Sequence, residues 1–473
     1  MRVWKLASRR EFLKLTALGA SGMAVLAACA PAAAPTPTAA PAKQAEPTKP
    51  TEKPAVATAA PKTTSGKVTL VAMHSTANPD ETIKTAEKGS TAYVTAVAFK
   101  ELRQKFAEKF PNIEIQDVVA PWAELRTKQQ VAITGGQGPD LVYNEWGAEF
   151  AMLGYLAPLD LKGMGLEGKI HPPTLEGHSY KGKVYCIPWN SGVLAMFVNA
   201  KRLTEAGLDP AKLPKTWTEF EEQIVKTTNP SKNWYGFIVA GSGSTYGGQM
   251  RYAPFLWSNG GDFFDKDFTK ATWNSPEGVA AIEYLSKLSQ KYSVPGSASA
   301  AEATHADAFF GGVTAFFEDG PWSIATATTR NMEFTIMNIP MPPGGTPSSL
   351  ILGNGAWGVA QASKYKDEAT KWVQFIGEKD TQLIWVRSGV TRMLSNVDAM
   401  GDKLITENKY LKPFADVFMQ KANHPLPTAP VNDWEIKMAF RTGLEEALRG
   451  AKAPKQAWDD SANEATKLLQ QKK

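Results

Sequence analysis

The sequence predicts an α/β fold spread over two or three domains, and three observations carry that expectation. At 473 residues the chain is longer than one hydrophobic core comfortably covers. Residues 66–143 alternate strand-like and helix-like apolar periods in a βαβαβ rhythm, the pattern of a parallel sheet whose ligands collect beyond the strand C-termini. Two later strand-like runs carry polar, turn-forming residues in their middles, which suits a chain crossing between domains.

Composition narrows the class. With 43% hydrophobic and 21% charged residues the chain reads as globular over most of its length. The net charge of +5 is concentrated at the start: Arg2, Lys5, Arg9, Arg10 and Lys14 against Glu11 give residues 1–28 a net +4, leaving +1 for the rest. No basic cluster of the nucleic-acid-binding kind is present, so no nucleic-acid partner is expected. The 14 tryptophans are many for this length.

The opening reads as an address. Arg9 and Arg10, followed by Phe12-Leu13-Lys14, precede a mildly apolar run that ends Leu26-Ala27-Ala28-Cys29. This pattern resembles a twin-arginine export leader ending in a bacterial lipobox, which implies cleavage before Cys29 and lipid on its sulfur, anchoring the chain to a membrane. The apolar run is marginal in length for a spanning helix. Residues 30–65 are rich in Pro, Ala, Thr and Lys with little to bury, the composition of an extended, solvated tether. With Cys29 acylated, Cys186 is the one remaining thiol, so no internal disulfide is expected.

The folded body then runs in order. Gly66–Met73 is a strand, and Thr91–Phe110 a helix with Val94, Val97, Leu102 and Phe106 on its apolar face and Pro111 as its stop. Ile113–Val119 is a strand, Trp122–Thr134 a helix closed by two glycines, and Pro139–Tyr143 a short buried strand followed by Asn144-Glu145-Trp146. Val184–Asn199 is largely apolar but broken by Pro188-Trp189-Asn190-Ser191-Gly192, the first crossing candidate. Thr216-Trp217-Thr218-Glu219 is a capping box opening a helix. Trp234–Ala240 is a strand leading into a loop that holds Tyr246. Ser275-Pro276 starts an amphipathic helix bearing Val279, Ile282, Leu285 and Leu288. Phe334–Ile339 is a strand, and Ser349–Ala360 carries the second crossing candidate around Asn354 and Trp357. Helices follow at Lys366–Ile376, Lys379–Arg387, Asp433–Arg449 and Pro454–Gln471, with an irregular stretch at Gly389–Ser395.

Phe316–Trp322, reading FFEDGPW, is the centre of the functional argument. Two aromatics run to a Gly-Pro break, so the strand ends there, with Glu318 and Asp319 pointing opposite ways at its mouth. Trp322 leaves the turn as a flat face near acceptors, the pairing that holds a sugar ring by stacking and hydrogen bonds. Ordinary core packing explains an isolated tryptophan equally well. The position of Trp122, Trp189, Trp257, Trp322, Trp357 and Trp434 at strand ends or crossings is the reason to read them as platforms.

Other chemistry finds little footing. Gly177–Lys183 fits a phosphate-loop spacing, but Val184 replaces the magnesium-holding hydroxyl and a strand follows. Glu318 and Asp319 diverge and so cannot flank one glycosidic bond together. The five histidines show no ligand spacing, and neither a nucleophile elbow nor a zinc-protease motif occurs, so no catalytic residue, metal or cofactor is expected.

An ordered series of short motifs adds a resemblance. Gly138-Pro139-Asp140-Leu141-Val142, Leu156-Ala157-Pro158-Leu159-Asp160, Gly182-Lys183-Val184-Tyr185 with Pro188, and Val198-Asn199-Ala200-Lys201 come first. Pro214–Phe220, Asn274–Gly278, Asp319-Gly320-Pro321-Trp322 and Met341–Gly345 follow. In that order they resemble the extracellular solute-binding proteins, family 1, the sugar-binding lipoprotein receptors of ABC importers, distantly similar to maltose-binding proteins. The resemblance implies a type II periplasmic-binding-protein-like fold, a monomer of two α/β lobes with three crossings and a central cleft. Lobe one would take 66–188 and 354–390, lobe two 189–353 and 391–473. It implies a sugar ligand, permease subunits as partners and an extracytoplasmic location. Trp322, Trp434 and Trp189 would be stacking platforms, and Asn144, Glu145, Trp146, Asn190, Asp319, Asn354 and Arg392 polar or first-lobe contacts, with Trp122, Tyr246, Trp257 and Trp357 further candidates. Gly192 and Thr391-Arg392 depart from the maltose type. Alternatives are a receptor for a phosphodiester, polyamine or peptide, or a secreted polysaccharide-acting enzyme.

Overall fold

The strands that build the body are, in chain order, β1 (Val68–His74), β2 (Ile113–Val119), β3 (Leu141–Asn144), β4 (Cys186–Pro188), β5 (Ala195–Asn199), β6 (Tyr235–Phe237), β7 (Thr314–Asp319), β8 (Phe334–Met337) and β9 (Ala356–Val359). They come from a computed structural model that describes residues 66–241, 247–353 and 355–471. These residues belong to one compact unit.

Two sheets, one per lobe, divide the strands. The first has the order β2-β1-β3-β9-β4, and the second β8-β5-β7-β6. β1 runs parallel to β2 and β3, as the βαβαβ rhythm requires. The first sheet is nonetheless mixed, because β9 inserts antiparallel between β3 and β4. A strand that returns to its sheet from the other lobe is free to enter in either direction, and periodicity cannot forecast which.

The run Val184–Asn199 resolves into the crossing its broken middle implied. It leaves the first sheet at Pro188, pairs Gly192–Val193 antiparallel with Ile351–Leu352, and enters the second sheet at Ala195. Ser191 also bridges Met393, so segments near 191, 352 and 393 lie side by side between the sheets. This is the α/β two-lobed architecture with three connecting segments.

Burial explains why β5 is apolar throughout. Ala195 and Phe197 enter one core cluster, while Leu194, Met196 and Val198 enter another on the opposite face. A strand covered on both faces loses the usual polar alternation. The helix Trp217–Thr227 starts where the capping box places it: Thr216 accepts from the Glu219 amide, and Glu219 accepts from the Thr216 amide. The helices Lys379–Arg387 and Trp122–Thr134 have the bounds read from the sequence. No described helix is long and apolar enough to cross a membrane.

Candidate functional site

The first lobe supplies aromatics from two successive strand ends. Past β2, Pro121 opens the helix that begins with Trp122, whose side chain is 43% exposed. Past β3 come Glu145, exposed, and Trp146, half-buried. Trp122 lies 5.4 Å from Trp146 and 6.3 Å from Tyr143, ring centre to ring centre.

Strand period separates the residues around β3. Asn144 is fully buried, with its amide 3.5 Å from Cys186 Sγ, so it faces the interior and not the cleft expected of it. The two-residue period instead puts Tyr143 on the side of Glu145. Tyr143 was missed in the sequence, although that same alternation marks it once Glu145 is accepted. Burial, and then the nearby Glu145 carboxylate, push its hydroxyl pKa up, so it stays protonated.

The second lobe contributes the turn after β7. Every residue of β7 is buried, and the strand stops at the Gly320-Pro321 break. Gly320 is required for space: a Cβ there would stand 2.1 Å from the Trp322 ring, which folds back over it. Asp319 has both oxygens engaged, Oδ1 at 3.1 Å from an Arg251 guanidinium nitrogen and Oδ2 accepting from Ser323 Oγ at 2.5 Å. Its geometry braces the Trp322 turn, a different role from the ligand contact expected. Glu318 points the opposite way, is buried, and has its pKa raised by desolvation into the neutral form's favour. Arg251, with its Nε donating to the Glu318 carbonyl at 3.2 Å, has no local sequence signal that foretells a buried cation.

Arg392, on the third connecting segment, joins the two halves. Its guanidinium lies 5.0 Å from the centre of the Trp322 ring. One of its terminal nitrogens, Nη1, is enclosed without a hydrogen-bond partner. Burial lowers the Arg392 pKa, while Tyr143 and Glu145 from the first lobe and Asp319 from the second oppose that shift. A partly stranded donor ringed by groups of both lobes is built to meet hydrogen-bond acceptors. Farther out, Arg126 holds Glu149 with two nitrogens and lays its guanidinium 5.0 Å from the Trp434 ring centre, taking up one face of that indole.

Two expected platforms belong to the interior. Trp357 is fully buried in β9, with His74, Tyr143, Trp189 and Trp372 rings within 6.3 Å. Trp189 is 2% exposed and packs edge-on against Trp385 at 3.8 Å. Gly355, at φ +59°, admits this packing, since a Cβ would stand 1.9 Å from Trp189 Nε1. Asn190 is buried with its Oδ1 unpaired. Trp257 packs on Phe263 and His424 and donates to Asp262 at 3.4 Å. Tyr246, Asn354, Cys29, Arg9 and Arg10 lie outside the described residues. Among the described residues no group of acids, histidines and cysteines is arranged to hold a metal.

Residues 87–383 match the family model of the bacterial extracellular solute-binding proteins. A maltotriose-binding protein of Pyrococcus abyssi is 28% identical over 248 residues, which is 52% of this chain and 50% of that protein. The chain thus spans about half the length of that relative. The sn-glycerol-3-phosphate-binding periplasmic protein of Salmonella paratyphi A is 26% identical over 63% of this chain and 70% of its own. Among solved structures, an ABC transporter solute-binding protein of Thermotoga lettingae bound with α-D-tagatose superposes with a TM-score of 0.72 at 22% identity, covering 85% of this chain and 99% of that one. A cyclic α-maltosyl-1,6-maltose binding protein of Arthrobacter globiformis gives 0.70 at 21% identity over 85% and 99%. These likenesses show the two-lobed fold.

Proposed function

This chain belongs to the bacterial extracellular solute-binding protein family, and on that premise we propose that it is the receptor of an ABC importer, holding a sugar between its lobes and passing it on unaltered. The observation that carries the reading is Arg392: a guanidinium with an unpartnered nitrogen, 5.0 Å from the centre of the Trp322 ring and within electrostatic reach of Tyr143 and Glu145. Indole faces and planar donors are what a hydroxyl-rich ring needs. Relatives whose names state maltotriose binding, and neighbours solved with sugars, support the class.

The mechanism we infer is closure. Sugar docks on one lobe, the other swings about the three connecting segments, and contacts to both lobes stabilise the closed form that the importer engages. Lobe one comprises residues 66–188 and 354–390 in this reading, and lobe two 189–353 and 391–473. The relatives are solute-binding proteins, which supports binding without chemistry. The leader motif supports twin-arginine export, and the lipobox supports a lipid anchor on Cys29 on the outer side of the membrane.

A thermal-shift screen over mono- and oligosaccharides, with sn-glycerol 3-phosphate as comparator, tests the function. A raised midpoint with at least one sugar is expected, with the sugar recovered intact. A shift with glycerol phosphate alone, or hydrolysis of the bound glycan, would overturn it.

A further inference from the structure

Lobe closure needs a place to bend, and two buried polar side chains outside the cleft bound it. Gln382, on the first-lobe helix Lys379–Arg387, is fully enclosed. Its amide nitrogen lies 3.1 Å from the Pro188 carbonyl oxygen, where the first connecting segment begins. The same nitrogen lies 2.9 Å from Ser395 Oγ, three residues past Arg392 on the third segment. Its Oε1 accepts from the Asn396 amide at 2.9 Å, and Ser395 Oγ donates to the Pro188 carbonyl. One side chain thus ties two connecting segments to one helix. The second segment has a tie of its own: His178 Nε2 donates to the Gly353 carbonyl at 2.8 Å. Gly353 passes so close that a Cβ would stand 2.8 Å from that nitrogen and 2.8 Å from the Thr174 carbonyl oxygen. On the second-lobe side, Ser349 Oγ donates to the Leu194 carbonyl at 2.5 Å.

Resting on the closure reading, we infer that Gln382 and His178 are positioning residues. They fix the connecting segments to the first lobe at Pro188, Gly353 and Ser395, and so confine bending to residues 189–193 on the first segment and 391–394 on the third. The reason is cost. A buried donor or acceptor that loses its partner is expensive, so lobe motion leaves such ties whole and bends the backbone between them. Between the ties the segments hold one another by backbone pairing, Gly192–Val193 with Ile351–Leu352 and Ser191 with Met393, and turn as one ribbon. Arg392 rides on that ribbon. Releasing Ser395 frees the backbone that aims its guanidinium, although Gln382 itself stays enclosed.

Interlobe distances test this, read by electron–electron double resonance between spin labels at Lys105→Cys on the first lobe and Lys270→Cys on the second. Both positions are exposed, and the whole protein would carry Cys29→Ser. The ligand-free parent is expected to give a narrow distance distribution. Gln382→Ala and His178→Leu should each broaden it, and Ser395→Ala, which removes a smaller tie, should broaden it less. Affinity is read by calorimetry with glucose, maltose or maltotriose, whichever shifts the thermal midpoint most. Gln382→Ala should weaken it about three- to tenfold. His178→Gln, which keeps a donor nitrogen, should match the parent in both readouts. Variants that lower the unfolding midpoint yet keep the parent's distances and affinity would make the two residues core packing and overturn the assignment. Weaker binding without broadening overturns it as well. Should Gln382→Ala not fold, His178→Leu and Ser395→Ala decide by the same outcomes. A screen in which no sugar shifts the midpoint overturns the sugar reading alone, because the ligand-free distances still decide the anchors.

Discussion

The interior indoles and the cleft-edge indoles of this protein are chemically identical and structurally opposite. Trp189 and Trp357 sit on chain that crosses or fills a sheet, are 2% and 0% exposed, and pack against further rings. Trp122, Trp146 and Trp322 follow the ends of strands and keep part of their surface open; Trp122 and Trp146 lie against each other, and Trp322 lies beside the Arg392 guanidinium. The difference teaches that position relative to a strand does not decide an indole's fate: Trp189 is one residue past β4 and enclosed, whereas Trp122, Trp146 and Trp322, two or three residues past their strands, keep surface open. Mutation should separate the two groups by observable: stability for the first, affinity for the second.

The sharpest break falls at Trp357. Replacement by Ala removes a fully buried indole and should cost about 3–5 kcal/mol in denaturant unfolding; a loss of sugar affinity with unchanged stability would place Trp357 with the cleft group after all. Asp319→Ala, which takes away the buried carboxylate beside Arg251, should cost about 3 kcal/mol of stability. A normal unfolding midpoint for that variant would return Asp319 to the ligand contacts.

His178 extends the interior side of the comparison to pH. Burial lowers its pKa from the ordinary 6.5 to about 4, and its Nε2 lies 2.8 Å from the Gly353 carbonyl. The unfolded chain therefore binds more protons in that window, so this contribution is present above about pH 6.5 and lost as pH falls toward 4. On the order of 3 kcal/mol is at stake, from about 2.5 pKa units at ~1.4 kcal/mol each. Glu318, with its raised pKa, pulls the opposite way, so the measurement is the difference between wild type and His178→Gln, whose unfolding free energy should fall less on acidification. Parallel curves would remove His178 from the account.

On the cleft side the effects are smaller and of another kind. Trp322→Ala should weaken sugar binding by about 1–3 kcal/mol through lost stacking and burial, with unfolding little changed. Arg126→Ala should weaken it by about 0.5–1 kcal/mol, because the guanidinium–indole contact with Trp434 is lost. If Arg126→Ala binds sugar as the wild type does, the Trp434 contact is packing alone.

What the sequence by itself determined is local. The bounds of β2, of the helices Trp122–Thr134 and Lys379–Arg387, the capping box at Thr216 and the stop at Gly320-Pro321 follow from periodicity, caps and breakers, all settled within a few residues. Around β3 the two-residue period separates the side chains, yet the sequence does not say which face is covered: Asn144, expected as a ligand contact, is enclosed, while Glu145 is exposed. Only the tertiary structure decided that β9 enters antiparallel, that Trp357 is enclosed, that Arg251 spends its charge on Asp319, and that Arg392 is surrounded by groups from both lobes. Those outcomes depend on segments tens to hundreds of residues apart meeting in space, and no local period records which distant partner a side chain will face.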